Sequence, residues 1–124
     1  MAQMFKRSLV MTLMAVVLLM GMAASAFASS ENYQFNYNGS YHAHSSSYIA
    51  GPADVDGGNV TITLTGDYFP QVDVGGVAYY GSYNSTTNLT TLTFPGDASD
   101  NINLKLYVVA GPHSTAYDLE LEWQ

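Results

Sequence analysis

Three histidines, His42, His44 and His113, are the side chains best equipped for chemistry in this chain, which has no cysteine. An imidazole offers a nitrogen lone pair to transition metals and can move a proton near neutral pH. Two of the three sit in a serine-rich stretch, "SYHAHSSSYIAGPA", from Ser40 to Ala53. The third opens "HSTAYDLELEW", from His113 to Trp123. Along that run His113, Thr115, Tyr117, Leu119, Leu121 and Trp123 share one parity, and Ser114, Ala116, Asp118, Glu120 and Glu122 share the other. A period of two marks a half-buried strand, so His113 falls on the apolar side, beside Tyr117. The plain reading of each histidine is a partly exposed residue with its polar tip in water. The chemical reading is a ligand.

Catalytic constellations are missing from the sequence. No serine stands on a strand-to-helix elbow with a base in reach. Asp118, Glu120 and Glu122 fall on the solvated side of the last strand, where carboxylates serve solubility more than acid–base work. Asp54, Asp56 and Gly57 suggest a calcium loop, but its other ligands are absent. Asn59-Val60-Thr61, Asn84-Ser85-Thr86 and Asn88-Leu89-Thr90 are glycosylation patterns of the kind that threonine-rich strands produce by chance.

The elements that must carry the histidines begin after a leader. The chain has 124 residues, and its first 28 have a basic start (Lys6, Arg7), an apolar run from Leu9 to Ala24 and the small-residue site Ala26-Phe27-Ala28. That order predicts a secretory signal peptide cleaved after Ala28. No second apolar segment follows, so a soluble, exported chain of 96 residues is expected, enough for one domain with a single core. It keeps one basic residue, Lys105, against ten carboxylates, a formal charge of −9. Such a surface repels phosphate backbones and anionic lipid, which speaks against nucleic-acid or membrane partners. Without cysteine there are no disulfides and no thiolate metal site.

Short β-rich runs separated by Gly, Pro, Asn and Asp fill the rest. "NYQFNYNG", "NVTITLTG", "LTTLTFPG" and "NINLKLYVVAG" alternate cleanly, and "VAYYGSYN" carries Val77, Tyr79 and Tyr83 on one parity. "YIAGPADVDGG" reads as an edge strand because Pro52 cannot donate to a ladder, ending in an Asp56-Gly57 turn. These predict an all-β, immunoglobulin-like antiparallel sandwich of seven to eight strands over residues 29–124. The last two strands, near 102–110 and 115–123, are joined by "GPHS". Serines compete for backbone hydrogen bonds and favour caps and tight turns, so Ala43 to Ser47 is expected as a short 3₁₀ helix at one rim.

Two of these segments together resemble the NEAT (near-iron transporter) domain, a haem-binding immunoglobulin-like sandwich of Gram-positive surface and secreted proteins. The stretch Tyr48-Ile49-Ala50-Gly51-Pro52-Ala53 is similar to the family's "Y-[FI]-x-x-P-A" tail after its 3₁₀ helix. The final hairpin of the family carries Tyr-x-x-x-Tyr, the first ligating iron, and the matching positions here are His113 and Tyr117. The resemblance runs from about Tyr33 to Trp123. It implies haem as cofactor, held between the hairpin and the Ser/His-rich segment, with His113, Tyr117, His44, Ser45, Tyr48, Ile49 and Val108 around it. The chain departs from the family at three points: His113 replaces the ligating tyrosine, Ala43 replaces a propionate-binding serine, and His44 replaces an apolar residue over the other haem face. Some members of the family bind protein partners instead of haem.

With those substitutions, imidazole becomes the iron ligand. His113 is the first candidate, His44 the second axial one and His42 the reserve. Four residues along a strand span about 13 Å, so Tyr117 is expected to stack on the porphyrin and not to bond to His113. Burying roughly 300 Å² of porphyrin is worth about 7 kcal/mol, from which association subtracts several. The first reading is therefore a diffusible, exported haem carrier that exchanges haem with a donor or acceptor protein, and not an enzyme. The alternatives are a haem-free module that recognises a protein or glycan through its tyrosines, and a Zn²⁺ or Cu²⁺ site built from His42, His44 and His113.

Overall fold

The computed structural model of the protein describes residues 28–124. The signal peptide expected over residues 1–28 lies, apart from Ala28, outside the described residues. Two antiparallel sheets face each other. One has five strands, ordered β1 (Ser29–Glu31), β4 (Ala53–Asp56), β5 (Asn59–Thr65), β9 (Leu89–Pro95) and β8 (Ser82–Asn84). The other has six, ordered β3 (Ser40–Tyr41), β2 (Tyr33–Tyr37), β11 (His113–Trp123), β10 (Ile102–Ala110), β6 (Gln71–Val74) and β7 (Val77–Tyr80). A single-turn helix, α1 (Ala43–Ser46), lies between β3 and β4.

Alternation built this. Val60, Ile62 and Leu64 of β5 pair in register with Phe94, Leu92 and Thr90 of β9, and all six point inward. Across the core, Ile102 and Leu104 of β10 pair with Leu121 and Leu119 of β11. A slip of one residue would turn every one of these side chains to water, so burial fixes the register. One polar group is caught inside: the Tyr33 hydroxyl is buried with no hydrogen-bond partner among the described residues, its ring edge-on to Phe35 and Trp123. Burial holds that phenol well above its ordinary pKa, because the phenolate could not be solvated there.

The all-β sandwich is as the alternation predicts, but its strands are shorter and more numerous: eleven among the described residues, where seven or eight are expected. The run "VAYYGSYN" is two strands in different sheets. Gly81 crosses between them, where a Cβ would strike the Phe69 carbonyl and Thr90. The strand after Pro52 is not an edge, because β1 pairs with it through Ser29–Val55, Ser30–Asp54 and Glu31–Ala53. Its turn is formed by Gly57 and Gly58, both at positive φ (61° and 84°), closing the Asp56–Asn59 pair as a primed hairpin turn requires.

Candidate functional site

The C-terminal ribbon outruns the core. Its pairing is one-to-one from Ile102–Leu121 to Ala110–His113, without a bulge. The turn is two residues, Gly111 at φ 61° and then Pro112, the sequence that a II′-type hairpin favours. His113 is thus the first residue of β11, further into the ribbon than the "GPHS" loop implies. Leu104, Leu106, Leu119 and Leu121 are buried, Tyr117 and Val108 half-buried, and everything from Val109 to Ala116 is exposed. Strand alternation keeps Val108, Ala110, His113, Thr115 and Tyr117 on one face.

Facing that surface is α1. Its amide bonds Ser46 to the His42 carbonyl and Ser47 to the Ala43 carbonyl (3.0 and 2.9 Å), then tightens: Tyr48 bonds back to Ser45 and Ile49 to Ser46. The expected 3₁₀ segment is therefore one α turn with a 3₁₀ exit, a common way to finish a helix. His42 caps it. The Nδ1 of His42 accepts the Ser45 N–H at 3.3 Å and lies 2.7 Å from the Ser45 Oγ. Ser46 docks the turn on β2, its hydroxyl accepting from the Phe35 N–H (3.0 Å) and donating to the Phe35 carbonyl (3.2 Å). Position thus passes from a core residue, Phe35, to the helix that presents His44.

Between the ribbon and α1 lies a cleft of about 350 Å³, lined by His44 and Tyr48 on one side, Val108, His113 and Tyr117 on the other, and Tyr68 across the end. Tyr68 is pinned there by its carbonyl, which accepts the Val109 N–H at 2.8 Å. Below it a narrow enclosed space of about 40 Å³ continues inward to Phe69 and Leu106. Aromatic edges form the floor: His44 against Tyr48 (centroids 5.6 Å apart), Tyr48 against Phe69 (5.3 Å) and Tyr117 against His42 (6.1 Å) and Tyr37 (6.2 Å). No carboxylate, lysine or arginine lines the cleft.

Of the residues singled out in the sequence, His113, Tyr117, His44, Tyr48 and Val108 meet in this one cleft. Ser45 is buried beneath it and faces His42, so it stands under the floor as a support. Ile49 does not join them. It leaves the turn as a residue bridged to Leu64 and lines a separate depression with Tyr33, Gln34 and Tyr41, because the bridge to β5 points it away from the turn residue Tyr48 that lines the cleft. Tyr117 makes no hydrogen bond to His113 among the described residues, its ring resting on His42 and Tyr37. Tyr68, Thr115 and Ala110 are additional lining residues. Tyr68 stands in "GDYFPQ", a break between strands in which no periodicity assigns a face. The alternative of a Zn²⁺ or Cu²⁺ site from His42, His44 and His113 finds no support: among the described residues no three His, Asp or Glu side chains converge on a metal position, and Ser45 occupies the His42 Nδ1.

No protein-family model and no curated protein sequence matches the chain. Its fold does match solved structures. The NEAT5 domain of IsdX2, a B. anthracis hemophore, in complex with heme, superposes with a TM-score of 0.65 at 15% identity over 81% of this chain and 97% of that one. A mutant of the same IsdX2 domain in complex with heme gives 0.65 at 14% identity, over 82% and 97%. The chain has a NEAT-like fold.

Proposed function

We propose that this NEAT-like sandwich is an exported, non-catalytic haem-binding protein that takes up or relays haem, with His113 and His44 as the residues that would hold the iron. The observation that carries the reading is the placement of two imidazoles on facing walls of one aromatic cleft. The donor set suits the group: neutral imidazole ligates both ferric and ferrous haem, and aromatic and aliphatic walls suit a porphyrin plane. At about 350 Å³ the cleft is at the small end of ligand sites. Haem bound to the similar IsdX2 domain supports the same use here. Export rests on the leader-like sequence of residues 1–28. A haem donor or acceptor protein is the partner such a role implies.

Titration of the protein with hemin tests this. A saturable, one-to-one Soret shift is expected, lost in large part in His113→Ala. The absence of any saturable shift would remove haem binding, and an unchanged spectrum in His113→Ala would remove that residue as ligand.

A further inference from the structure

A haem brings two carboxylates with its flat face, and the cleft offers them nothing positive. Lys105 is the only lysine or arginine among residues 28–124. Strand alternation sends Leu106 into the core and Lys105 to the opposite, outer face of the six-stranded sheet. The register there puts Asp118 of β11 and Asp73 of β6 directly beside it, so the one cation stands between two carboxylates. The three serines of the helix are no substitute. Ser46 Oγ donates to the Phe35 carbonyl at 3.2 Å and Ser47 Oγ to the His44 carbonyl at 2.6 Å, while Ser45 Oγ lies between the His42 Nδ1 and carbonyl (2.7 and 3.3 Å). Each hydroxyl proton has an acceptor inside the protein.

We infer that the cleft discriminates against the carboxylates of a tetrapyrrole and prefers an esterified macrocycle to the free acid: it holds the ring as an apolar plate through its face and its iron, while peripheral carboxylates stay in water and are repelled by the protein. This rests on the haem-binding reading above and names the ligand class that the same cleft prefers. Ten carboxylates against one lysine give the described domain a formal charge of −9. At low ionic strength that field reaches well beyond contact distance and opposes a dianion, and salt shortens its reach to about 8 Å under physiological conditions. Esterifying the carboxylates removes the repulsion and leaves the iron and the ring unchanged.

The test compares hemin with hemin dimethyl ester, titrated into the domain of residues 28–124 in the same low fraction of organic cosolvent, at about 20 mM and about 500 mM NaCl. The expected result is that the ester binds several-fold more tightly at low salt and that the gap closes as salt rises. A Thr115→Lys variant, which adds a cation to the ribbon wall, should strengthen hemin binding several-fold relative to ester binding and so narrow the low-salt gap between the two. Tighter binding of hemin than of its ester at either salt, or a gap that salt does not narrow, would overturn the inference while leaving haem binding intact. If neither macrocycle binds, the haem reading itself fails and this preference with it.

Discussion

The Nδ1 of His42 sits at the start of α1 in the place where an aspartate or serine oxygen usually caps a helix, accepting the Ser45 N–H at 3.3 Å and meeting the Ser45 hydroxyl at 2.7 Å. An imidazole can do this only with an unprotonated Nδ1, so that nitrogen is committed to structure. His42→Ala should cost about 1 kcal/mol of stability, the usual loss for a cap, and His42→Asn should recover most of it. Urea unfolding of the three proteins reads the difference. An alanine variant as stable as the parent would mean that the cap is idle.

His44 is carried by the helix that His42 caps, and its ring is held edge-on to Tyr48. With His113 retained, His44→Ala should convert hemin-bound protein from a low-spin to a high-spin spectrum while changing affinity less than His113→Ala does. Magnetic circular dichroism or the visible bands decide this. A low-spin spectrum that survives the substitution would show that the sixth ligand is another group.

Tyr68 closes the end of the cleft because Gly66 lets it. Gly66 has φ 102°, and a Cβ there would collide with the Tyr68 ring. Gly66→Ala should lose roughly 1–3 kcal/mol through backbone strain and expel Tyr68 from its place. Tyr68→Ala should weaken hemin binding with little loss of stability, since the ring is substantially exposed. Thermal melts alongside hemin titrations separate the two effects.

The buried Tyr33 hydroxyl has no hydrogen-bond partner among the described residues. An unpaired polar group in a core costs about 1–3 kcal/mol, so Tyr33→Phe should be neutral or stabilising by about 1 kcal/mol. A large destabilisation in denaturant would show that the hydroxyl has a bonding partner in solution.

Asp73 carries the clearest pH dependence. Hydrogen bonds from Gln71 (2.7 Å) and then Tyr107 (2.8 Å) hold its carboxyl below the ordinary carboxylate range, with Lys105 adding a smaller pull. A lowered folded-state value means stability that is present above the ordinary carboxylate pKa and is lost as the pH falls through the folded value. Tyr107 is raised by the same bond, so its contribution disappears at the alkaline end. Asp73→Asn should flatten the acid limb of a plot of urea midpoint against pH, modestly because the pair is exposed.

The sequence made the long strands readable because each has one wet and one dry side: Val60 to Leu64, Leu92 and Phe94, and Ile102 to Leu106 alternate without exception. The placement of His113 and Tyr117 on one face of the ribbon follows from the same parity. Short elements were harder. Strand β6, "QVDV", and the two-residue β3 are too brief to show a period. Tyr68 is placed by a backbone bond to Val109 that no local pattern announces. Ile49 stands outside the cleft because it begins a bridge to Leu64 directly after the turn residue Tyr48, a change of direction that nearness in the chain does not reveal.

The exposed tip of the ribbon, Val109 to Ala116, makes its ladder beyond the reach of the core. Its amides should therefore exchange with deuterium long before those of Ile102 to Leu106, because only the ribbon's own ladder and the bond from Val109 to the Tyr68 carbonyl must break. One wall of the cleft can then peel back while the sandwich stays folded, which would give the proposed haem an exit that does not require the protein to unfold.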